Sequence, residues 1–265
     1  MSDPILLIPM CGVGKRFKEK GYKEHKAIIN INGKNMIEKI QSNFPISIEV
    51  YIITTKSIYD SVYPELVKKR KTKEIKFIFI EEHKLGPGYT LFKARDMIPS
   101  GRPIFISYCD ISWSCDKKII EKALKNSVAA IFTHKGFHPH LVNNSFSAFC
   151  KVDKKKNTLI KIKEKGSFTN NWMEESLSIG LFYIQNIEII KKSLVELINS
   201  SKKVSNEYYP SLIFNILIAN NIEVDLYDVN YFVHYGTPEQ LEDFINWINF
   251  FKNVNASNNS EKVLY

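Results

Sequence analysis

Residues 5–16 read ILLIPMCGVGKR, an apolar run followed at once by a turn with two glycines and two basic side chains. The run predicts a buried β-strand over Ile5–Met10. Gly12 and Gly14 allow the backbone to fold tightly, so that successive N–H groups can point at a phosphate. Arg16 and the later Lys26 would add two positive charges at the same place. The stretch therefore predicts a loop that holds a triphosphate and stabilises charge developing on it.

Two other phosphate-binding loops do not fit this stretch. A dinucleotide-binding turn needs a third glycine where the sequence has Phe17, and an acidic residue after the second strand, where residues 54–56 read TTK. A P-loop needs a glycine where Pro9 stands, and a hydroxyl residue after its lysine where Arg16 stands. The remaining alternative is an ordinary tight turn with exposed basic residues.

Composition and charge describe a globular chain of enzyme size. The chain has 265 residues, 44% of them hydrophobic, which is enough to bury a large core. The net charge of +9 could indicate a nucleic-acid partner, but the lysines are scattered and only four of the 37 basic residues are arginines. We therefore expect no nucleic-acid partner, although a basic surface would attract anionic phosphorylated substrates.

The location expected from the sequence is the cytoplasm. Apolar runs stay well short of a membrane span, so no membrane partner is expected, and no basic leader precedes the first strand. The four cysteines lack metal-ligand spacing and flank strand-like segments, as buried thiols in a reducing compartment would. They are Cys11, Cys109, Cys115 and Cys150.

Strand-like and helix-like segments alternate through the first half of the chain. The pattern predicts strands at 5–10, 50–55, 76–81 and 103–109, and helices at 36–44, 57–69, 89–98 and 117–124. This alternation predicts a parallel sheet covered on both faces, with a ligand crevice at the carboxyl ends of its strands. The glycine turn, the loop 81–88 and Asp110 would all lie at that edge.

The second half changes in character. Segments 129–134, 147–152, 159–163 and 178–184 predict antiparallel strands, followed by helices at 187–199 and 207–220 and a strand at 222–229. A last helix should begin at Thr237 or Pro238 and run to about Phe251. We expect this half to complete the same sheet and cover one side of the crevice.

Six short motifs follow one another along the chain. They are Gly12-x-Gly14-x-Arg16 with Lys26, Leu85–Gly88, Ser107–Asp110, Ile162–Lys165, Gly180–Tyr183 and Gly236–Glu239. In this order they resemble the sugar-phosphate nucleotidylyltransferase family, over nearly the whole chain. One departure is His25-Lys26-Ala27, where the family has Pro-Lys-Pro.

The resemblance implies a three-layer Rossmann-like nucleotidyltransferase fold with a mostly parallel, mixed central sheet. A single domain would span 1–252, with an NTP-binding half (1–125), an acceptor-binding half (126–252) and a polar tail at 253–265. The implied activity is a Mg²⁺-dependent nucleotidylyltransferase acting in surface or capsule polysaccharide biosynthesis. It would join an NTP, with CTP slightly favoured, to a sugar phosphate or related small phosphorylated acceptor and release pyrophosphate.

The resemblance also implies roles for individual residues. The catalytic residues would be Arg16 and Lys26. Nucleotide binding would fall to Met10, Cys11, Gly12, Val13, Gly14, Lys15, Gly86 and Tyr108. Acceptor binding would fall to Glu164, Lys165, Gly180 and Tyr209. Asp110 would hold Mg²⁺, and His234, which stands where many relatives have an aspartate, is a second candidate ligand.

Several side chains and functions leave alternatives open. His134, His138 and His140 lack a cysteine or carboxylate partner, which favours loop or acceptor-pocket roles over metal binding. An aromatic-sided acceptor pocket could use Trp113, Trp172 and Tyr209, with at least one of them in the core.

A catalytically impaired nucleotide-binding regulatory protein is one alternative function. A glycosyltransferase on a similar sheet is another, although residues 110–112 read DIS and lack its Asp-x-Asp. Homo-oligomers remain possible.

Overall fold

The first strand, β1 (Ile5–Met10), lies inside a nine-stranded sheet and is buried on both of its faces. The structure, a computed structural model, describes residues 2–44, 46–68, 75–138 and 147–261, the last seven of them by backbone only. Within these ranges the further strands are β2 (Asn30–Ile31), β3 (Lys34–Asn35), β4 (Glu49–Thr54), β5 (Ile75–Phe79), β6 (Ile104–Ser107), β7 (Ile111–Ser114), β8 (Ala129–His134), β9 (Ala148–Asp153), β10 (Thr158–Lys163), β11 (Ser176–Ile184), β12 (Val224–Asp228) and β13 (Tyr231–His234). The α-helices are α1 (Lys15–Glu19), α2 (Met36–Asn43), α3 (Lys56–Lys68), α4 (Pro87–Ala94), α5 (Lys117–Asn126), α6 (Glu188–Asn199), α7 (Ser211–Ala219) and α8 (Pro238–Glu261).

The main sheet has the strand order β5-β4-β1-β6-β11-β8-β12-β10-β9, and β9 also pairs with β11. Strands β5, β4, β1 and β6 run parallel, while β11 is antiparallel to both β6 and β8. The mixed sheet predicted from the sequence is confirmed. Parallel pairing dominates only its first half, because β9, β10 and β11 pair antiparallel with their neighbours.

Two helical layers cover the sheet, which confirms the three-layer arrangement. Leu6 and Ile8 of β1 face a core shared with α2, α3 and α5, while Ile5 and Leu7 face a core shared with α4, α6 and α7. The alternation follows from the two-residue period of a strand. A third, smaller cluster packs Phe17 of α1 against Tyr235 and Leu241 near the start of α8.

The short hairpin and helix after the glycine loop follow from local sequence. Asn32 and Gly33 both have positive φ angles (52° and 87°), which is the geometry that favours Asn-Gly in a two-residue hairpin turn. Asn35 then caps α2, because its side chain accepts from the N–H of Glu38 while Glu38 accepts from the N–H of Asn35.

Three features differ from the sequence-based expectation. Helix α7 begins at Ser211 and not at Glu207, because the backbone of Tyr208 is hydrogen-bonded to Leu85 and Gly88. Helix α8 continues past Phe251 to Glu261, since no proline or glycine interrupts it. Strands β7 and β13 pair antiparallel in a separate two-stranded sheet that the sequence pattern did not reveal. No described helix is both long and apolar enough to cross a membrane.

We expect Gly88→Ala to lower the free energy of unfolding by about 1–3 kcal/mol, the usual cost of overpacking. A Cβ at Gly88 would lie 2.9 Å from both the carbonyl carbon and the oxygen of Tyr208, so backbone would have to move. The matched control is Gly12→Ala, because a Cβ there meets no atom within 4 Å. Urea unfolding of both variants gives the comparison, and equal stabilities would contradict the close packing of the two segments.

Candidate active site

A cleft of about 790 Å³ opens at the carboxyl ends of β1 and β6, a volume within the range of small-molecule sites. All the residues predicted to bind nucleotide, acceptor or metal line it, although their roles remain predictions. They are Met10, Cys11, Gly12, Val13, Gly14, Lys15, Arg16, Lys26, Gly86, Tyr108, Asp110, Glu164, Lys165, Gly180, Tyr209 and His234. The sheet edge predicted from the strand pattern is therefore where these residues meet.

The glycine loop between β1 and α1 forms one wall of the cleft. Gly14 has a left-handed backbone (φ 66°, ψ 38°), a conformation that glycine adopts without strain. Gly12 has open space where a Cβ would stand, and the side chains of Lys15 and Arg16 are exposed at the cleft. An anion that enters the cleft would therefore meet the loop backbone and the two positively charged side chains.

Lys26 and Asp110 form an ion pair within the cleft. The Lys26 Nζ donates to Asp110 Oδ2 at 2.7 Å, and the two side chains are only 21% and 12% exposed. Burial alone would lower the pKa of Lys26, but the charge of Asp110 outweighs it and raises that pKa above its ordinary value. Burial likewise opposes ionisation of Asp110, yet Lys26 and then His234 bring its pKa down to about 2. Both groups therefore stay charged at neutral pH.

The β7–β13 sheet brings His234 beside Asp110. His234 pairs with Ile111 across this sheet, and the N–H of Tyr235 donates to the Asp110 carbonyl at 2.9 Å. Gly236 leaves room for both side chains, since a Cβ there would lie 2.7 Å from His234 Nε2 and 3.1 Å from Asp110 Oδ2. Among the described residues no three His, Cys, Asp or Glu side chains cluster as a metal site. The Asp110 carboxylate fits Mg²⁺ when substrate phosphates and water supply the other ligands, whereas the His234 imidazole is a poor ligand for this ion.

The loop before α4 packs against the segment before α7. The Tyr208 N–H donates to the Leu85 carbonyl and the Gly88 N–H to the Tyr208 carbonyl, both at 2.8 Å. A Cβ at Gly86 would lie 2.7 Å from the Glu207 Cβ, so the two segments meet where only a glycine fits. Gly86 was predicted to bind the nucleotide, and it lines the cleft while also packing against the second segment.

Tyr108, which was predicted to bind nucleotide, lies beside Gly180, a residue predicted to bind the acceptor. A Cβ at Gly180 would lie 2.4 Å from the Tyr108 ring, so the glycine in β11 makes room for that ring. The buried Tyr108 hydroxyl has no hydrogen-bond partner among the described residues. Its pKa is raised well above the ordinary value, first by burial and then by the charge of Glu164. Tyr108 therefore keeps its hydroxyl proton at neutral pH.

Glu164 is the titratable group of the acceptor side. Burial raises its pKa to about 7, while a hydrogen bond from Ser211 and the charge of Lys165 act in the opposite direction. Lys165 lies over the ring of Tyr209 at 5.2 Å, and the Tyr209 hydroxyl donates to Glu207. This wall combines carboxylates, a cation and an aromatic ring, which suits a polar acceptor that carries a phosphate.

The remaining predicted side chains separate into cleft and core. Trp113 is 1% exposed and packs edge-on against Phe44, so it belongs to the core and not to an acceptor pocket. Trp172 packs against the same core cluster. His138 stacks on Phe232 at 4.2 Å and lines the cleft, while His140 lies outside the described residues. All four cysteines are free, and Cys115 alone is not fully buried.

Several residues that line the cleft could not be recognised as site residues from the sequence alone. His83 and Thr90 are bonded to each other at 3.1 Å across the start of α4, and Glu207 holds Tyr209. Their places depend on pairings between distant segments. Further lining residues that the sequence did not single out include Lys84, Ser147, Ser178, Phe232 and Gln240.

Comparisons with solved structures place the fold among nucleotidyltransferases. A nucleoside-diphosphate-sugar pyrophosphorylase from Vibrio cholerae RC9 is 17% identical, with 91% of this chain and 100% of that chain covered at a TM-score of 0.68. An apo UDP-glucose pyrophosphorylase is 15% identical, covering 96% and 99% at a TM-score of 0.71. An inositol-1-phosphate CTP transferase from T. maritima is 13% identical, covering 89% and 90% at 0.65.

No protein-family model and no curated protein sequence matches the chain. At these identities the structural likeness establishes the fold. The chain therefore has the three-layer α/β fold of the nucleotide-sugar pyrophosphorylases, which confirms the resemblance seen in the motifs at the level of the fold.

We expect Glu164→Gln to be more stable than the parent at pH 8, with no difference below pH 4.5. In the unfolded chain Glu164 ionises near pH 4.5, whereas the folded protein binds its proton up to about pH 7. The parent therefore loses stability between these values, because ionising the buried group opposes folding. Urea unfolding across this pH range is the measurement, with the exposed Glu196→Gln as the control. A pH-independent difference between Glu164→Gln and the parent would contradict the raised pKa.

Proposed function

We propose that this protein is a nucleotidylyltransferase that joins an NTP to a small phosphorylated acceptor and releases pyrophosphate. The fold supports nucleotidyl transfer, since the structures it resembles are nucleotide-sugar pyrophosphorylases and nucleotidyltransferases. The single observation that carries the proposal is the arrangement at the cleft. Lys26 is paired to Asp110 at 2.7 Å, and both line the same cleft as the glycine loop and Arg16.

The proposed reaction is an in-line displacement at the α-phosphorus. A phosphate oxygen of the acceptor forms the new bond to phosphorus, and the bond from that phosphorus to the oxygen bridging to the β-phosphate breaks. Pyrophosphate leaves with that oxygen and its electron pair. The acceptor phosphate is already largely ionised at pH 7, so the reaction needs no general base. The protein's task is to position two anions and offset their charge.

The residues divide this task between the two sides of the cleft. The backbone N–H groups of residues 12–14 and the Arg16 guanidinium hold the β- and γ-phosphates, and the Lys26 ammonium stabilises charge on the α-phosphate. Lys165 binds the acceptor phosphate, Glu164 binds a polar group of the acceptor, and Tyr108 contacts the nucleotide. Asp110, with His234 beside it, would hold Mg²⁺, which supplies positive charge to phosphate oxygens.

The nucleotide and the pathway are finer parts of the proposal. We favour CTP slightly, from the sequence resemblance and because one similar structure is an inositol-1-phosphate CTP transferase. Another, HddC from Yersinia pseudotuberculosis, was solved with GMP-PN, so the fold alone does not select the base. The acceptor class is a sugar phosphate or related small phosphate, and the product would serve surface polysaccharide synthesis.

Pyrophosphate release tests the proposal directly. The four NTPs are each incubated with a panel of phosphorylated sugars, polyols and amino-acid derivatives, with Mg²⁺ present. Pyrophosphate release that requires a particular NTP together with a particular acceptor supports nucleotidyl transfer. Binding of nucleotide without release under any combination would favour a regulatory protein, and transfer from a nucleotide-sugar donor would favour a glycosyltransferase.

We expect Arg16→Ala and Lys26→Ala each to lower turnover by about 10²–10³, the usual cost of losing one charge stabiliser. Lys23→Ala is the matched control, because Lys23 is exposed, lies three positions before Lys26 and does not line the cleft. Steady-state kinetics and thermal unfolding are measured on all three. Parent-like turnover in folded Lys26→Ala protein would contradict the phosphate-site assignment.

We expect the parent to work at least as well with Mn²⁺ as with Mg²⁺, and His234→Asp to shift its preference toward Mg²⁺. Imidazole is a poor ligand for Mg²⁺ and a better one for Mn²⁺, whereas a second carboxylate suits Mg²⁺. Turnover is measured with each metal, and Asp110→Asn, which should lose the response to both, is the reference. An unchanged rate and preference in His234→Asp would place His234 outside the metal site.

A further inference from the structure

The imidazole of His25 connects the glycine loop to the segment that carries Lys26. His25 Nε2 lies 2.8 Å from the Gly12 carbonyl oxygen, and the N–H of Ala27 donates to His25 Nδ1 at 3.3 Å. The residue is only 7% exposed, so both bonds are shielded from water. His25 stands where the resembling family has a proline, which could form neither side-chain bond. The departure in the lysine motif therefore adds a specific link.

The two bonds together fix the tautomer of His25. Because Nδ1 accepts a hydrogen from Ala27, the ring proton must be on Nε2, and Nε2 then donates to Gly12. Burial lowers the pKa of His25, and the charges of Lys26 and Lys18 lower it further, against the opposing effect of the Gly12 carbonyl. The neutral ring that both bonds require is thus the form favoured at neutral pH.

Neighbouring contacts join the same two segments. A Cβ at Gly14 would lie 3.8 Å from the Lys26 backbone nitrogen and 3.9 Å from its Cγ, so Gly14 lies next to Lys26. The Ile28 N–H donates to the His25 carbonyl at 3.0 Å and closes the short 3₁₀ turn that carries the lysine. The bond to His25 also satisfies the Gly12 carbonyl oxygen. The loop and the lysine are therefore positioned as one unit.

We propose that His25 is a positioning residue that sets the spacing between the phosphate-binding glycine loop and the Lys26 ammonium. This role rests on the proposed function, in which the loop holds the β- and γ-phosphates and Lys26 the α-phosphate. Its effect is transmitted through Lys26, because His25 itself makes no predicted contact with substrate. A small displacement of a positioning element can cost a factor of up to about 10² in rate.

Two substitutions separate the bonds of His25. In the His25→Asn variant, the asparagine side chain can still accept a hydrogen bond from the N–H of Ala27, as asparagine does at turns and helix starts. It is too short to reach the Gly12 carbonyl. Gln in His25→Gln places an amide N–H near the position of Nε2 and keeps the bond to the Gly12 carbonyl. We expect His25→Asn to lower kcat/KM by about tenfold and His25→Gln to restore most of it.

A double-mutant cycle with Lys26→Ala distinguishes positioning from a general structural role. If His25 acts through Lys26, His25→Asn should cost less than about twofold once the lysine is absent, because coupled residues are not additive. The same four proteins are also titrated with inorganic tripolyphosphate in a calorimeter. The losses of binding free energy caused by the two substitutions should again be less than additive. Thermal unfolding confirms that each variant is folded.

The outcomes separate this inference from the proposed function. A parent without pyrophosphate release would contradict the function, and the tripolyphosphate cycle would then still test the spacing. An active parent with additive losses in the cycle, or with His25→Asn as active as His25→Gln, would overturn the positioning role alone.

Discussion

The ion pair between Lys26 and Asp110 joins two segments 84 residues apart and places opposite charges inside the cleft at 2.7 Å. Burial opposes both charges, and each persists because the other is present. Removing either partner would leave an uncompensated, largely buried charge, which usually costs far more than the pair contributes. In the proposed reaction a nucleotide phosphate competes with Asp110 for the ammonium. Under the proposed function, the pair keeps the Lys26 ammonium charged where the nucleotide phosphate would bind.

Glycines allow distant segments to approach closely enough to build this cleft. Residues 207–208 pack against Gly86 and Gly88, and the Tyr108 ring packs against Gly180. The side chains of His234 and Asp110 lie close to Gly236. In each case a Cβ would lie within about 3 Å of an existing atom, a distance that close-packed interiors do not tolerate. These glycines thus serve packing as well as the backbone access that their motifs suggested. The phosphate loop differs, because Gly12 has open space beside it.

Much of the fold and the candidate site could be predicted from local patterns. Buried parallel strands read as continuous apolar runs, so β1, β4 and β6 were found nearly at their observed bounds. Loops at their carboxyl ends then had to share one edge. The β7–β13 pair was missed because residues 111–114 and 231–234 are short and pair only with each other, although they lie far apart along the chain. The start of α7 was misplaced for a similar reason, since Tyr208 bonds to a loop more than a hundred residues earlier.

The sequence by itself determined the order of most strands and helices along the chain, the edge of the sheet where the site lies, and the types of charged group present there. These follow from hydrophobic period, glycine positions and residue chemistry, all of which act over a few neighbouring residues. Only the tertiary structure decided that Lys26 faces Asp110, that His25 bridges to Gly12, and that burial raises the pKa of Glu164 to about 7. The physical reason is that ion pairing, hydrogen bonding and desolvation depend on distances through space, and local sequence does not fix those distances.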